Sequence, residues 1–265
     1  MWQGLVGCGS RHAVNRTPQN LLVYHLGLAD DWLLPMSQAS KTVVVVGASR
    51  GIGAAVAQHF SDRGNTVWSV CRSPAVAGQW IQADISGPEG IGAIATALDN
   101  TPLDALLFMG GVWEEGAFTD AYNFMNSSDA ETRWVISINA IAPIEITRAL
   151  AANLALATNP RAIYIGALSG LENCASPEVA NTAAKFGLRG AVQALRLALG
   201  SQNIGFTVIN PGNVATEEVL LDIEEGRFGP QTPIPMEVIT GAIDWLTSLP
   251  PSVDVPELNL WQRSP

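Results

Sequence analysis

The sequence predicts an α/β fold: a doubly wound, mostly parallel sheet of about seven strands with helices on both faces. Three observations carry that expectation. Short, unbroken apolar runs such as "TVVVV" (42–46) and "RAIYI" (161–165) recur along the chain, as in parallel strands covered on both faces. Helical stretches alternate with these runs from residue 41 onward. The first run also passes into its helix through a glycine-rich turn, "GASRGIG" (47–53).

In chain order, strands are expected at 42–46 "TVVVV", 66–70 "TVWSV", 79–82 "QWIQ", 104–109 "DALLFM", 161–165 "RAIYI", 204–209 "IGFTVI" and 257–260 "ELNL". Helices are expected between them at 52–63, 88–99, 128–157, 178–200 and 235–248. Strand–helix repetition with right-handed crossovers places successive strands in one parallel sheet. The long 128–157 helix opens on "SDAE", a capping-box pattern. Its apolar residues, among them Val135, Ile138, Ile141, Ile144 and Leu150, cover more than one stripe. Such a helix is buried on two sides, the second by another subunit, so a homodimer or homotetramer is expected.

Residues 1–40 lack clean periodicity and contain Pro18 and Pro35. They are read as an N-terminal extension, weakly ordered or a product of start-site choice, ahead of one domain over 41–265. The alternative is an arm that packs Leu21, Leu22 and Trp32 against that domain.

Composition excludes several classes. With 48% hydrophobic and 14% charged residues, the 265-residue chain has material for an extensive core. A net charge of −10 argues against a nucleic-acid or anionic-membrane surface, so the expected partner is a small-molecule substrate. Cys8, Cys71 and Cys174 are scattered, as are His12, His25 and His59, which gives neither a disulfide framework nor a metal site. No apolar run reaches the roughly 18 residues of a membrane span. "LVGC" (5–8) lacks the basic start and apolar core of a signal peptide, and a cytoplasmic location is expected.

The glycine turn defines a candidate binding site. Gly47 permits the tight turn, Gly51 lets backbone approach a pyrophosphate, and Gly53 allows close helix–strand packing, the Rossmann-type pattern. The phosphates would lie at the helix N-terminus, where unpaired N–H groups and the helix dipole favour anions. A site for NAD wants an acid after the second strand. Here that strand ends "VCRS", with Arg72, while Arg50 lies inside the turn. Two guanidiniums suit a 2′-phosphate, so NADP(H) is the expected cofactor.

With "GASRGIG" (47–53), "INAIAP" (138–143), Lys185 and "NPGNVAT" (210–216) in this order, the chain resembles the short-chain dehydrogenase/reductase (SDR) family over about 41–262. The resemblance implies cofactor contacts from Gly47, Ser49, Arg50, Gly51, Ile52, Gly53 and Arg72, and adenine contacts from Asp84 and Ile85. It implies further contacts from Gly110 and Gly111, and from Pro211, Gly212, Val214 and Thr216 around the nicotinamide. Asn139 and Lys185 match the family's active-site Asn and Lys, which share a proton-relay water while the Lys also binds the nicotinamide ribose. Pro143, four residues after Asn139, has no N–H for the carbonyl of residue 139, so a kink is expected there.

The chain also departs from the family. Four residues before Lys185, where the family has its general-acid Tyr, stands Asn181, and Ala167 occupies the substrate-binding Ser position unless a shifted register brings in Ser169. An asparagine amide donates a hydrogen bond but has no proton to transfer. The resulting expectation is an NADP(H)-dependent oxidoreductase that transfers hydride to or from a small carbonyl or enoyl substrate, with a non-standard proton donor and a degenerate active site. The alternative is a non-catalytic NADP(H)-binding sensor or partner subunit. Lys185 acting through water is one substitute donor; Tyr122, Glu114 and Glu115, after the fourth strand, are others, although each of these three reads first as part of a solvated loop. The stretch after Thr216 is expected to form a lid.

Overall fold

The computed structural model describes residues 40–263, so the expectation for residues 1–40 lies, but for the last, outside the described residues. Seven strands form one parallel sheet: β1 (Thr42–Val46), β2 (Thr66–Cys71), β3 (Gln79–Gln82), β4 (Ala105–Phe108), β5 (Arg161–Ile165), β6 (Gly205–Pro211) and β7 (Glu257–Leu260). Their spatial order is β3-β2-β1-β4-β5-β6-β7. The order reverses between β1 and β4, and a crevice opens beyond the carboxyl ends of the strands at such a switch point.

Side chains alternate along each strand, and the two faces meet different helices. Val44 and Val46 share a core with Ile94 and Leu98 of α2 (Pro88–Leu98), Ile146 and Leu150 of α4 (Ala142–Ala155), and Leu188 of α5 (Val179–Ala198). Val43 and Val45 face the other way, onto Val56 and Phe60 of α1 (Gly51–Asp62) and Ile239 and Ile243 of α7 (Met236–Ser248). A sheet buried on both faces has no use for polar alternation, which is why its strands read as unbroken apolar runs.

The long expected helix is interrupted. It comprises α3 (Asp129–Ile136), a π-helical turn (Ser137–Ile141) and α4. The Ala142 N–H donates to the carbonyl of Ser137, five residues back. Pro143 offers no N–H to the carbonyl of Asn139, and the widened turn places the irregularity at that point. By length and composition Asp129–Ala155 could cross a bilayer, but it is laid along the sheet, with Ile146, Leu150 and Leu154 fully buried. A helix not expected from the sequence, α6 (Glu217–Glu224), lies inside the stretch read as a lid; Thr216 caps it by accepting the Val219 N–H at 3.3 Å.

Candidate functional site

A cleft of about 500 Å³ runs across the carboxyl ends of β1, β4, β5 and β6. That volume is within the range typical of small-molecule sites. At one end lie Arg72, Asp84 and Ile85, beyond β2 and β3; Ser49, Arg50, Gly51 and Ile52 follow over α1. Gly110 and Gly111 come next, then Ala167, Ser169, Asn181 and Lys185, with Pro211, Gly212, Val214 and Thr216 on the β6 side.

Backbone geometry at the glycine turn follows from its sequence. Gly47 has φ +87°, and a Cβ there would stand 2.5 Å from the Cα of Gly110. Gly53 does not line the cleft; a side chain there would strike the carbonyl of Gly47, so this residue sets the packing of α1 on β1. Arg50, the N-cap of α1, is extended and makes no side-chain cap, and no acidic residue stands in the first turn. The N–H groups at the start of α1 therefore face the cleft without a protein side chain to satisfy them, an arrangement that fits a bound pyrophosphate.

Near the adenine end, the Asp84 carboxylate accepts the Ser86 N–H at 2.9 Å. That bond, with a smaller contribution from Arg72, holds its pKa below the usual carboxylate value. Arg50 forms an ion pair of 2.6 Å with Glu218 of α6, both side chains being well exposed.

The centre of the cleft holds Lys185. Its ammonium donates to the carbonyl of Ile165 at 3.1 Å, the one acceptor it has among the described residues. Burial pushes its pKa down to about 8, and no carboxylate counters that effect. A Cβ on Gly111 would lie 3.5 Å from Asn139 Oδ1 and 3.6 Å from Lys185 Nζ, so the glycine leaves the floor open above both.

Asn139 is buried and does not line the cleft. Its side chain grips Val112 twice, accepting the N–H at 3.0 Å and donating to the carbonyl at 2.5 Å, and donates a longer bond to Asn181 Oδ1 at 3.4 Å. The Asn139 side chain is thus committed to the loop after β4 and to Asn181. Asn181, Ala167 and Ser169 all line the cleft near Lys185.

None of the three suggested donors after β4 lines the cleft. Glu114 is 3% exposed, and its Oε1 accepts the N–H groups of Ala180 (2.7 Å) and Asn181 (3.2 Å). Tyr122 Oη accepts the Val179 N–H at 3.1 Å, and Glu115 is exposed, its N–H bonded to Glu131 Oε1 at 2.6 Å. The Glu114 carboxylate and the Tyr122 hydroxyl serve the start of α5, while Glu115 is tied through its N–H to α3. A sequence signal for this existed. The N-cap of α5 is Glu178, which makes no cap of its own, so acceptors for the first N–H groups had to come from elsewhere.

At the far end the lining is aromatic. Trp113, Phe118 and Phe228 all face the cleft. The Trp113–Phe118 and Phe118–Phe228 ring pairs are edge-to-face, with centroids 5.9 and 6.5 Å apart. These three residues were not singled out from the sequence, because they converge from two loops far apart in the chain.

Comparison with known proteins agrees with this fold. The family model described as short chain dehydrogenase matches residues 41–220. The chain is 27% identical over 197 residues to the ketoacyl reductase HetN of Nostoc sp., covering 69% of this chain and 66% of that protein. It is 26% identical over 219 residues to the 3-oxoacyl-[acyl-carrier-protein] reductase MabA of Mycobacterium avium, covering 79% and 83%. A solved metagenomic short-chain oxidoreductase in complex with NADP superposes with a TM-score of 0.66 at 25% identity, covering 84% of this chain and 99% of that one.

Proposed function

From the premise that the chain belongs to the short chain dehydrogenase family, a family of nicotinamide-dependent oxidoreductases, we propose that it is an NADP(H)-dependent reductase of a small carbonyl compound whose proton comes from an atypical donor. The observation that carries this reading is one continuous cleft. It joins the uncapped N-terminus of α1 to a buried, single-acceptor Lys185.

Arg72 and Arg50 would hold the 2′-phosphate of NADP(H), the α1 amides its pyrophosphate, and Lys185 the ribose hydroxyls that complete its ammonium's hydrogen bonds. When bound, the nicotinamide supplies the hydride equivalent that reaches the substrate carbon. Asn181, its Oδ1 turned to Asn139, offers its amide N–H to the substrate oxygen. Lys185, with a pKa of about 8, yields a proton to that oxygen, through water, and recovers one from solvent. Reading Asn181 and Ala167 as replacements for Tyr and Ser belongs to this proposal.

A second reading, non-catalytic NADP(H) binding, draws support from the far end of the cleft, where Trp113, Phe118 and Phe228 bring no acid or base. Two measurements separate them: NADPH binding by calorimetry, and NADPH oxidation against a panel of ketones and enoyl compounds. Binding with turnover fits the first reading, binding without turnover the second, and absence of binding overturns both.

A further inference from the structure

We propose that Trp113, Phe118 and Phe228 form a ring-binding subsite, so that the substrate is a neutral ketone conjugated to a planar aromatic ring. This rests on the reductase reading, and it adds the substrate class that the reading leaves open.

The three rings converge from two loops, one after β4 and one after α6, onto the cleft that also holds Asn181 and Lys185. Both ring pairs are edge-to-face, an arrangement that leaves ring faces free for a third ring. Trp113 is 44% exposed and Phe118 39%, large apolar surfaces for the wall of a cleft.

Phe118 is held in place by unusual means. It has φ +63°, a left-handed conformation that bulky side chains rarely adopt. Its N–H donates at 2.8 Å to Oε1 of Glu178, which is 3% exposed and whose Oε2 has no hydrogen-bond partner. A buried carboxylate with one oxygen unsatisfied and a strained phenylalanine are both unfavourable by themselves. Together they fix one ring at the mouth of a cleft, and strain of that kind concentrates at ligand clamps. Glu178 is a positioning residue in this scheme.

Charge selects a neutral ligand. Among the described residues, the cations lining the cleft are Arg50 and Arg72 at the cofactor end and Lys185 at the centre. Near the rings stands Asp222, already paired with Arg227. Among the described residues, no basic side chain lines the aromatic end to receive a carboxylate or phosphate.

The experiment compares methyl naphthyl ketone with a straight-chain methyl ketone of equal carbon count. Binding is read by quenching of tryptophan fluorescence and by ligand-observed NMR, with and without saturating NADP+. The expected result is binding of the naphthyl ketone about tenfold tighter than that of the linear ketone, as for two aromatic contacts. Phe228→Ala and Trp113→Leu should each remove most of that preference without weakening NADPH binding. Glu178→Ala should reduce the preference, and Glu178→Gln, which keeps an oxygen acceptor for the Phe118 N–H, should retain it. Equal binding of the two ketones by a protein that binds NADPH overturns the subsite and leaves the reductase reading intact. A protein that prefers the naphthyl ketone but binds no NADPH supports the subsite and overturns the reductase reading.

Discussion

Asn139 Nδ2 points at Asn181 Oδ1 across 3.4 Å while the rest of the Asn139 side chain is fixed on Val112. The Asn181 amide oxygen is the acceptor of that contact, which leaves its NH2 group free of it. Under the proposed reading, an oxygen developing on a substrate beside Asn181 would meet a hydrogen-bond donor without a transferable proton.

A general acid is typically worth about 10²–10⁴ in rate. Asn181→Tyr combined with Ala167→Ser is therefore expected to raise NADPH-dependent ketone reduction by about that range. The new phenol would stand one helical turn from Lys185, whose charge lowers its pKa. Parent and double variant are assayed side by side for NADPH oxidation. A parent already as fast as the variant would mean that Asn181 is no defect.

Lys185 is expected to cost the cofactor-free protein stability. Its ammonium is buried with a single carbonyl acceptor, and its pKa falls from an ordinary 10.5 to about 8. Between those values the unfolded chain binds the extra proton, so stability rises with pH across that window. Below about pH 8 the folded protein carries the full penalty, about 3 kcal/mol by the shift. Lys185→Met should raise the Tm of the cofactor-free protein at neutral pH by several degrees, with the gain shrinking as pH climbs toward 10. The same variant should lose turnover. Calorimetric scans across pH check it, and a Met variant less stable at pH 7 would contradict the expected penalty.

Cofactor choice should depend on Arg72. The Arg50–Glu218 pair is exposed and worth about 0–1 kcal/mol, so it yields readily to a phosphate, but Arg50 must give up that partner. Arg72 forms no such ion pair among the described residues. NADPH is expected to bind more tightly than NADH, and Arg72→Ala to remove about tenfold of the difference. Equal affinities for the two cofactors in the parent, by titration calorimetry, would refute this.

Association is expected through the outward faces of α4 and α5. Ile144 of α4 and Phe186 of α5, with Ile141 of the π-helical turn just before α4, remain exposed, although α4 is buried on its sheet side. Light scattering should find a dimer or tetramer, and Ile144→Glu should shift it toward monomer. A monomeric parent would remove the expectation.

Much of this was legible in the sequence because it is local. Sheet strands were visible as apolar runs since both faces are covered, and the glycine turn since Gly47 must take φ +87°. The kink at Asn139 could be anticipated from a missing proline N–H. What escaped depends on contacts distant in sequence. Glu114 reads as a solvated loop acid until the fold carries it to an α5 N-terminus 66 residues away. The aromatic cluster likewise needs two loops to be brought together before Phe118 can meet Phe228.

Glu114 provides the sharpest test of that long-range design. Its Oε1 accepts two N–H groups at the start of α5, one of them from Asn181, so it caps the helix that presents both Asn181 and Lys185. Glu114→Ala leaves both donors buried without an acceptor and is expected to cost roughly 2–3 kcal/mol. Glu114→Gln keeps an oxygen for them but loses the charge that favours a helix N-terminus, a smaller cost of about 1 kcal/mol. Because the α1 turn and Arg72 lie elsewhere in the cleft, and Lys185 sits in the second turn of α5, the alanine variant should bind NADPH within about threefold of the parent while its kcat falls about tenfold or more as the first turn of α5, with Asn181, frays. Urea unfolding and steady-state kinetics on parent, Gln and Ala variants give the order. If the Ala variant keeps both stability and kcat, α5 does not depend on this cap.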